Sequence, residues 1–219
     1  MSRRRVAILI SGRGSNMAAL LAAAARPDYP AEISLVLSNR PEAAGLAKAM
    51  EAGVPTAVVD HKTFPSREDF EAAVDGRLAE ARAELVCLAG FMRLLTPWFI
   101  ERWRDRLINI HPSLLPAFRG LRTHERALEA GVRVTGCTVH FVRVEMDEGP
   151  IIAQAAVPVL AGDTPESLAA RVLEAEHRLY PHALGLIAGG AARIVDGRVL
   201  FAREPAPGPN LFSPPLPNR

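Results

Sequence analysis

The sequence has little cysteine, almost no lysine, no excess of either charge and no long apolar run. Its two cysteines, Cys87 and Cys137, lie inside the apolar stretches LVCLAG and TGCTVHF. Isolated cysteines without C-x-x-C spacing argue against a disulfide framework and lend no support to a Cys/His metal site. They read as reduced core residues of a cytoplasmic protein. The only lysines are Lys48 and Lys62, so none follows a glycine-rich turn as a Walker loop demands. The 26 basic and 24 acidic residues leave a formal charge of +2, interspersed along the chain. Such a balance does not suggest a nucleic-acid binder, although a small anion could be handled locally. Arg3, Arg4 and Arg5 imitate the start of a signal peptide, but the apolar stretch after them is interrupted at Ser11. No run is long enough to span a membrane, and no internal repeat is visible.

What is present is ordinary for a globular chain: 219 residues, 49% hydrophobic and 23% charged, enough for one sizeable core. Short apolar runs alternate with helical patterns. The expected order is strand 6–10, helix 16–25, strand 33–37, helix 43–51, strand 55–59, helix 66–82, strand 85–89 and strand 107–110. Alternation with short connections implies an α/β fold built on a doubly wound, mostly parallel twisted sheet. After Gly131 the runs VRVTGCTVHFVRV and IIAQAAVPVL are longer and more β-branched, as in an antiparallel pair. Thr164-Pro165 then opens a helix that buries Leu168, Val172, Ala175 and Leu179 and that Pro181 bends or ends. ARIVDGRVLFA reads as a hairpin around Asp196-Gly197. The last fifteen residues, from Pro205, hold six prolines and read as a mobile tail.

Three stretches carry polar residues where chemistry could occur. SGRGSN follows the first strand and opens the first helix. Gly12 and Gly14 would allow positive φ, and the N–H groups of Gly14, Ser15 and Asn16 would favour an anion. The dinucleotide fingerprint fails, because Met17 stands where its third glycine belongs and the second strand ends in Ser38-Asn39-Arg40. A phosphate cradle and a purely structural turn both fit. In LINIHPSLLP, Asn109 and His111 are two apart at a strand end and so share a face. They could stabilise an oxyanion and move a proton, or could be hydrogen-bonded structural groups. His61, His124, His140, His177 and His182 read as structural. In EMDEGPII, Asp147 and Glu148 precede Gly149-Pro150, and Gly149 would let the chain turn a carboxylate inward; a solvated acidic turn is the alternative. LAGFMRLLTP could line a slot for a flat heterocycle or simply pack as a buried loop.

Taken together, SGRGSN, LAGFMRLL, NIHPSLLP, GLRTHERAL, GCTVHFV and DEGPII, in this order and spacing, resemble the phosphoribosylglycinamide formyltransferases, within the folate-dependent formyltransferase group. The resemblance runs from about Val6 to Phe201. It implies a Rossmann-like formyltransferase domain over 1–202 with an antiparallel C-terminal portion, followed by the tail 203–219. It also implies transfer of formyl from the co-substrate 10-formyltetrahydrofolate to the amine of glycinamide ribonucleotide, in purine biosynthesis, without a metal. The residues that match the family's catalytic set are Asn109, His111 and Asp147. Gly14, Ser15 and Asn16 match its phosphate loop, and Leu173 and Glu176 match a segment that touches the nucleotide. Folate would lie against Met92, Arg93, Leu94 and Leu95, with Asn109, and against Arg143, Val144, Glu145, Met146 and Asp147, with Arg67 near its carboxylate end. Asp147 would favour a protonated His111. Arg13 and Arg122 depart from residues common in the family. The implied partners are small molecules, with no nucleic acid and no membrane, and the implied assembly is a monomer or weak homodimer.

Rival readings share parts of this pattern. A methionyl-tRNA formyltransferase would carry a further C-terminal domain with a basic face. A formyltetrahydrofolate deformylase would carry an extra N-terminal regulatory domain, whereas here the phosphate loop begins at residue 11. A catalytically inactive phosphate- or nucleotide-binding module would have no need to keep all of Asn109, His111 and Asp147.

Overall fold

A computed structural model describes residues 3–203; residues 204–219 of the proline-rich tail lie outside the described residues. The first strand, β1 (Arg4–Ile10), is buried on both sides from Val6 onward. Side chains alternate across a strand, so Val6, Ile8 and Ile10 enter one hydrophobic cluster while Ala7 and Leu9 enter another. That two-sided burial explains an apolar run without polar alternation. The helices α1 (Ser15–Ala24), α2 (Gly45–Glu51) and α6 (Pro165–Ala188) supply the first cluster, with Met17, Leu46 and Tyr180. The second is filled from α3 (Arg67–Glu80) and α4 (Pro97–Arg102), with Phe70, Val74, Leu78 and Phe99. Phe70, Val74 and Leu78 recur at four-residue spacing on one face of α3. Burying each such side chain is worth roughly 1.5–3 kcal/mol.

The sheet also contains β2 (Ala31–Ser38), β3 (Thr56–Val58), β4 (Leu85–Leu88), β5 (Leu107–His111), β6 (Val134–Phe141) and β7 (Ile151–Pro158), in the order β3-β2-β1-β4-β5-β6-β7. β1 to β5 pair in parallel; β6 pairs antiparallel with both β5 and β7. A separate hairpin joins β8 (Ala192–Val195) to β9 (Arg198–Phe201), with Asp196 and Gly197 both at positive φ. The strand order reverses between β1 and β4, and open α/β sheets bind ligands outside the carboxyl ends of strands at such a switch point. SGRGSN follows β1 there, LAGFMR follows β4, and His111 closes β5.

Three expectations need correction. Gly14 has φ +68, but Gly12 is not in the positive-φ region. Gly12 instead offers its carbonyl to the Gly45 N–H at 3.0 Å. Of the bend or end expected at Pro181, the end does not occur: the last long helix continues to Ala188, because Ala183, Leu184, Ile187 and Ala188 bury against the first cluster. Two short helices, α4 and α5 (Thr123–Glu129), stand where no element was expected. Among the described residues no helix is long and apolar enough to cross a membrane, and no group of three or more His, Cys, Asp or Glu is placed to hold a metal.

Candidate active site

The turn after β1 is held open by its own backbone. Gly14 is the N-cap of α1, no side chain caps the helix, and no acid lies in its first turn. The first N–H groups of the helix are therefore without intrahelical partners, at the positive end of the dipole. They face a recess of about 390 Å³ lined by Ser11 to Asn16, Arg40, Ala89, Gly90 and Met92. Arg13 and Arg40 add two cations to its rim. Arg40 was missed as a binding candidate because β2 brings it beside the β1 turn only through parallel pairing. Ser11 ties this turn to the loop after β4: its hydroxyl donates to Asn39 Oδ1 (2.6 Å) and accepts from the Met92 N–H (2.8 Å).

A cleft of about 590 Å³ adjoins the recess and shares Asn16, Gly90 and Met92 with it. Asn109, His111, Gly120, His124 and Glu176 also line it. Asn109 and His111 project from β5, and Asp147 comes to them from the loop between β6 and β7. Asp147 has φ +57, and its Oδ2 accepts from the Gly120 N–H at 2.8 Å and lies 3.5 Å from His111 Nδ1. Gly149 makes this path possible, since a Cβ there would sit 1.6 Å from the Phe141 carbonyl oxygen. The adjacent Glu148 turns outward to pair with Arg119 on the surface. His111 Nε2 meets the Phe118 carbonyl at 3.1 Å.

His140, read as structural from the sequence, belongs to this cluster. It is the cross-strand partner of Asn109, with Nε2 3.4 Å from Asn109 Nδ2 and 3.8 Å from Asp147 Oδ1. The signal was the two-residue alternation in GCTVHF, uninterpretable until the register of β6 against β5 is known. Burial, above all, pushes the His140 pKa down, and it does the same for His124, whose buried Nδ1 has no hydrogen-bond partner among the described residues. His61 instead meets the Asn39 carbonyl, and His182 lies on the outer face of α6 by β7.

Across the cleft, Asn16 donates to Glu176 Oε2 at 2.7 Å, and burial raises the Glu176 pKa against the opposing effect of that bond. Leu173, one turn earlier on α6, is half-buried and does not line the cleft. The loop residues are divided in the same way. Met92 lines the cleft and is 65% exposed, and Leu94, Val144 and Met146 are also exposed apolar side chains. Arg93 and Leu95 are half-buried, Glu145 is exposed, and Arg143 is engaged with Asp105 at 2.5 Å. Arg67 is exposed at the start of α3, one turn before the buried Glu71, whose carboxylate accepts from the Thr96 N–H at 2.8 Å and so ties α3 to the end of that loop.

The site thus joins an uncapped helix N-terminus to a cleft with a buried carboxylate, an imidazole and an amide. A profile of the formyl transferase family matches residues 4–184. The chain belongs to that family. It is 41% identical over 189 residues to the phosphoribosylglycinamide formyltransferase of Escherichia coli (strain K12), covering 86% of this chain and 89% of that one. It is 55% identical over 190 residues to the trifunctional purine biosynthetic protein adenosine-3 of Gallus gallus, covering 87% of this chain and 19% of the relative. The chain therefore spans about a fifth of that larger protein. The crystal structure of phosphoribosylglycinamide formyltransferase from Brucella melitensis superposes with a TM-score of 0.83 at 58% identity, covering 86% of this chain and 97% of that one. In this formyl transferase, the family match takes in SGRGSN, NIHPSLLP and DEGPII together.

Proposed function

We propose that this formyl transferase moves the formyl group of 10-formyltetrahydrofolate to the amino group of glycinamide ribonucleotide, yielding formylglycinamide ribonucleotide and tetrahydrofolate, a step of purine biosynthesis. The observation that carries this reading is the adjacency of the anion recess at α1 to the Asn109–His111–Asp147 cluster. A substrate that is phosphate at one end and amine at the other spans the two. Its phosphate takes the N–H groups of Gly14, Ser15 and Asn16 with Arg13 or Arg40 alongside, and its ribose lies toward Glu176. The folate ring system lies against Met92 and the loop Arg143–Asp147.

In the reaction the amine nitrogen bonds to the formyl carbon and the carbonyl π pair moves onto oxygen. Asn109 Nδ2 and the His111 ring donate to that oxyanion; each oriented donor is worth a factor of about 10²–10³ in rate. The oxyanion then collapses: its lone pair re-forms the carbonyl, the carbon–nitrogen bond to folate breaks, and the proton lost by the amine passes by way of Asp147 to the departing folate nitrogen. The Asp147 carboxylate, its side chain 8% exposed, lies 3.5 Å from the His111 ring and holds it toward the reacting carbon.

The deciding assay incubates the protein with 10-formyltetrahydrofolate, with and without glycinamide ribonucleotide, and follows folate absorbance. Turnover that requires the ribonucleotide is the expected result. Turnover without it would make the protein a deformylase, and no turnover in either arm would leave a binding module.

A further inference from the structure

His140 stands outside the three residues given the proposed chemistry, yet it lies against two of them. It is 2% exposed, and its Nδ1 is 2.9 Å from the Phe141 carbonyl oxygen. A carbonyl oxygen only accepts, so Nδ1 carries the hydrogen, and in the neutral ring Nε2 is left with a lone pair. That lone pair faces the Asn109 amide at 3.4 Å.

We propose that His140 is a positioning residue that decides which way the Asn109 amide points. The two ends of a primary amide have nearly the same shape, so packing cannot choose between them; a neighbour of known polarity can. Were the Asn109 oxygen turned to Nε2, two lone pairs would oppose each other. The nitrogen faces it instead, spends one hydrogen on Nε2 and keeps its second for the cleft that Asn109 lines. The Phe141 carbonyl thus sets the ring tautomer, and the tautomer sets the amide. This inference rests on the reading of Asn109 as an oxyanion donor.

The arrangement works only with a neutral ring, since a hydrogen on Nε2 would repel the amide N–H and favour the opposite orientation. Burial holds His140 neutral by lowering its pKa, and the like charge of a protonated His111 acts in the same direction. The hydrogen bond to the Phe141 carbonyl, and then Asp147, facing Nε2 at 3.8 Å, pull the other way. Across the β6–β7 pair it meets only the uncharged Ile151.

The first test needs no activity. Nitrogen-15 NMR of the histidine rings in the full chain at neutral pH should show His140 protonated at Nδ1 alone. An Nε2–H tautomer or an imidazolium there overturns the proposal. In kinetics, His140→Leu should lower kcat about tenfold or more, as for an oxyanion donor left unoriented. The KM values for both substrates should stay within about threefold, since ground-state binding is unchanged. His140→Gln, which can offer a carbonyl oxygen to Asn109, should recover most of the loss. It should also lack any acid-side fall in kcat that comes from the ring. Adding Asn109→Ala to His140→Leu should cost no more than Asn109→Ala alone. A folded His140→Leu protein with wild-type kcat, or losses that multiply in the double variant, would refute the positioning role. If His140→Leu does not fold, the ring tautomer and His140→Gln decide. Absence of ribonucleotide-dependent turnover in the wild type would remove the functional reading, while the ring tautomer would still decide whether His140 orients the amide.

Discussion

Asp147 and Glu148 are neighbouring carboxylates in opposite surroundings. The Asp147 side chain is 8% exposed beside His111, whereas Glu148 pairs with Arg119 at the surface. Asp147→Asn keeps the shape and removes the charge, so turnover should fall by at least ~10²-fold, the low end for lost acid–base catalysis. Glu148→Gln should change turnover little, because an exposed ion pair contributes about 0–1 kcal/mol. Steady-state kinetics on both variants and on His111→Ala checks this, and the His111→Ala/Asp147→Asn double variant should be little worse than either single one. Glu176 makes a second prediction, on stability. Its raised pKa means that the folded state holds the proton more tightly than the unfolded chain. The stability this brings is complete below the ordinary value of 4.5 and is lost as pH rises through the raised one. Glu176→Gln can still accept from Asn16 without carrying charge. It should therefore melt above wild type at pH well over 4.5, with the gain vanishing toward 4.5. A melting-temperature difference that is flat with pH would contradict it. At this scale the sequence was legible for Asn109 and His111, whose spacing on a strand fixes a shared face. It was not legible for His140, whose place depends on the β5–β6 register.

At the scale of elements, the N-terminus of α1 is the feature with the most direct consequence. Ser15→Asp would put a carboxylate among N–H groups that face the recess. It should weaken glycinamide ribonucleotide binding, measured by calorimetry, by tenfold or more if the carboxylate replaces the ligand's anion, roughly the 1.4 kcal/mol expected of a helix-terminus charge effect in a partly buried setting. Formyl-folate affinity should be unchanged. Equal ribonucleotide affinity in the variant would mean that the phosphate sits elsewhere. The elements that escaped the sequence reading are the short ones. α5 opens at Arg122 in a left-handed conformation with no side-chain cap, so it carries no local start signal. α4 has Thr96 as N-cap and Pro97 in its first turn, but spans six residues. Helices that short are held by packing, here through Phe99 and Ile100, rather than by propensity.

For the whole molecule, every residue of the proposed site lies within residues 3–203. Deleting 207–219 should therefore leave kcat within about twofold, since no group assigned to transition-state stabilisation is removed. The melting temperature should also stay essentially unchanged, because a segment this rich in proline has little apolar side chain to bury. A large fall in either, measured by the same assay and by calorimetry, would mean that the tail contributes to the body or to the site.

The sequence by itself determined the alternation of buried strands and amphipathic helices, and with it the doubly wound sheet. Apolar periodicity is a local property, and burial on both faces leaves Val6 to Ile10 no polar alternation. It also determined which residue types could do chemistry, because the motifs around Gly14, Asn109, His111 and Asp147 are each contiguous. Tertiary structure alone decided what meets what. The switch point between β1 and β4 brings the turn at residue 11 beside the loop at residue 90, joined by the Ser11 N–H to the Gly90 carbonyl at 3.1 Å. The antiparallel register sets His140 opposite Asn109, and the close pass of Gly149 over Phe141 turns Asp147 inward. These contacts link residues far apart in the chain, and their geometry follows from strand pairing and packing that no local pattern encodes.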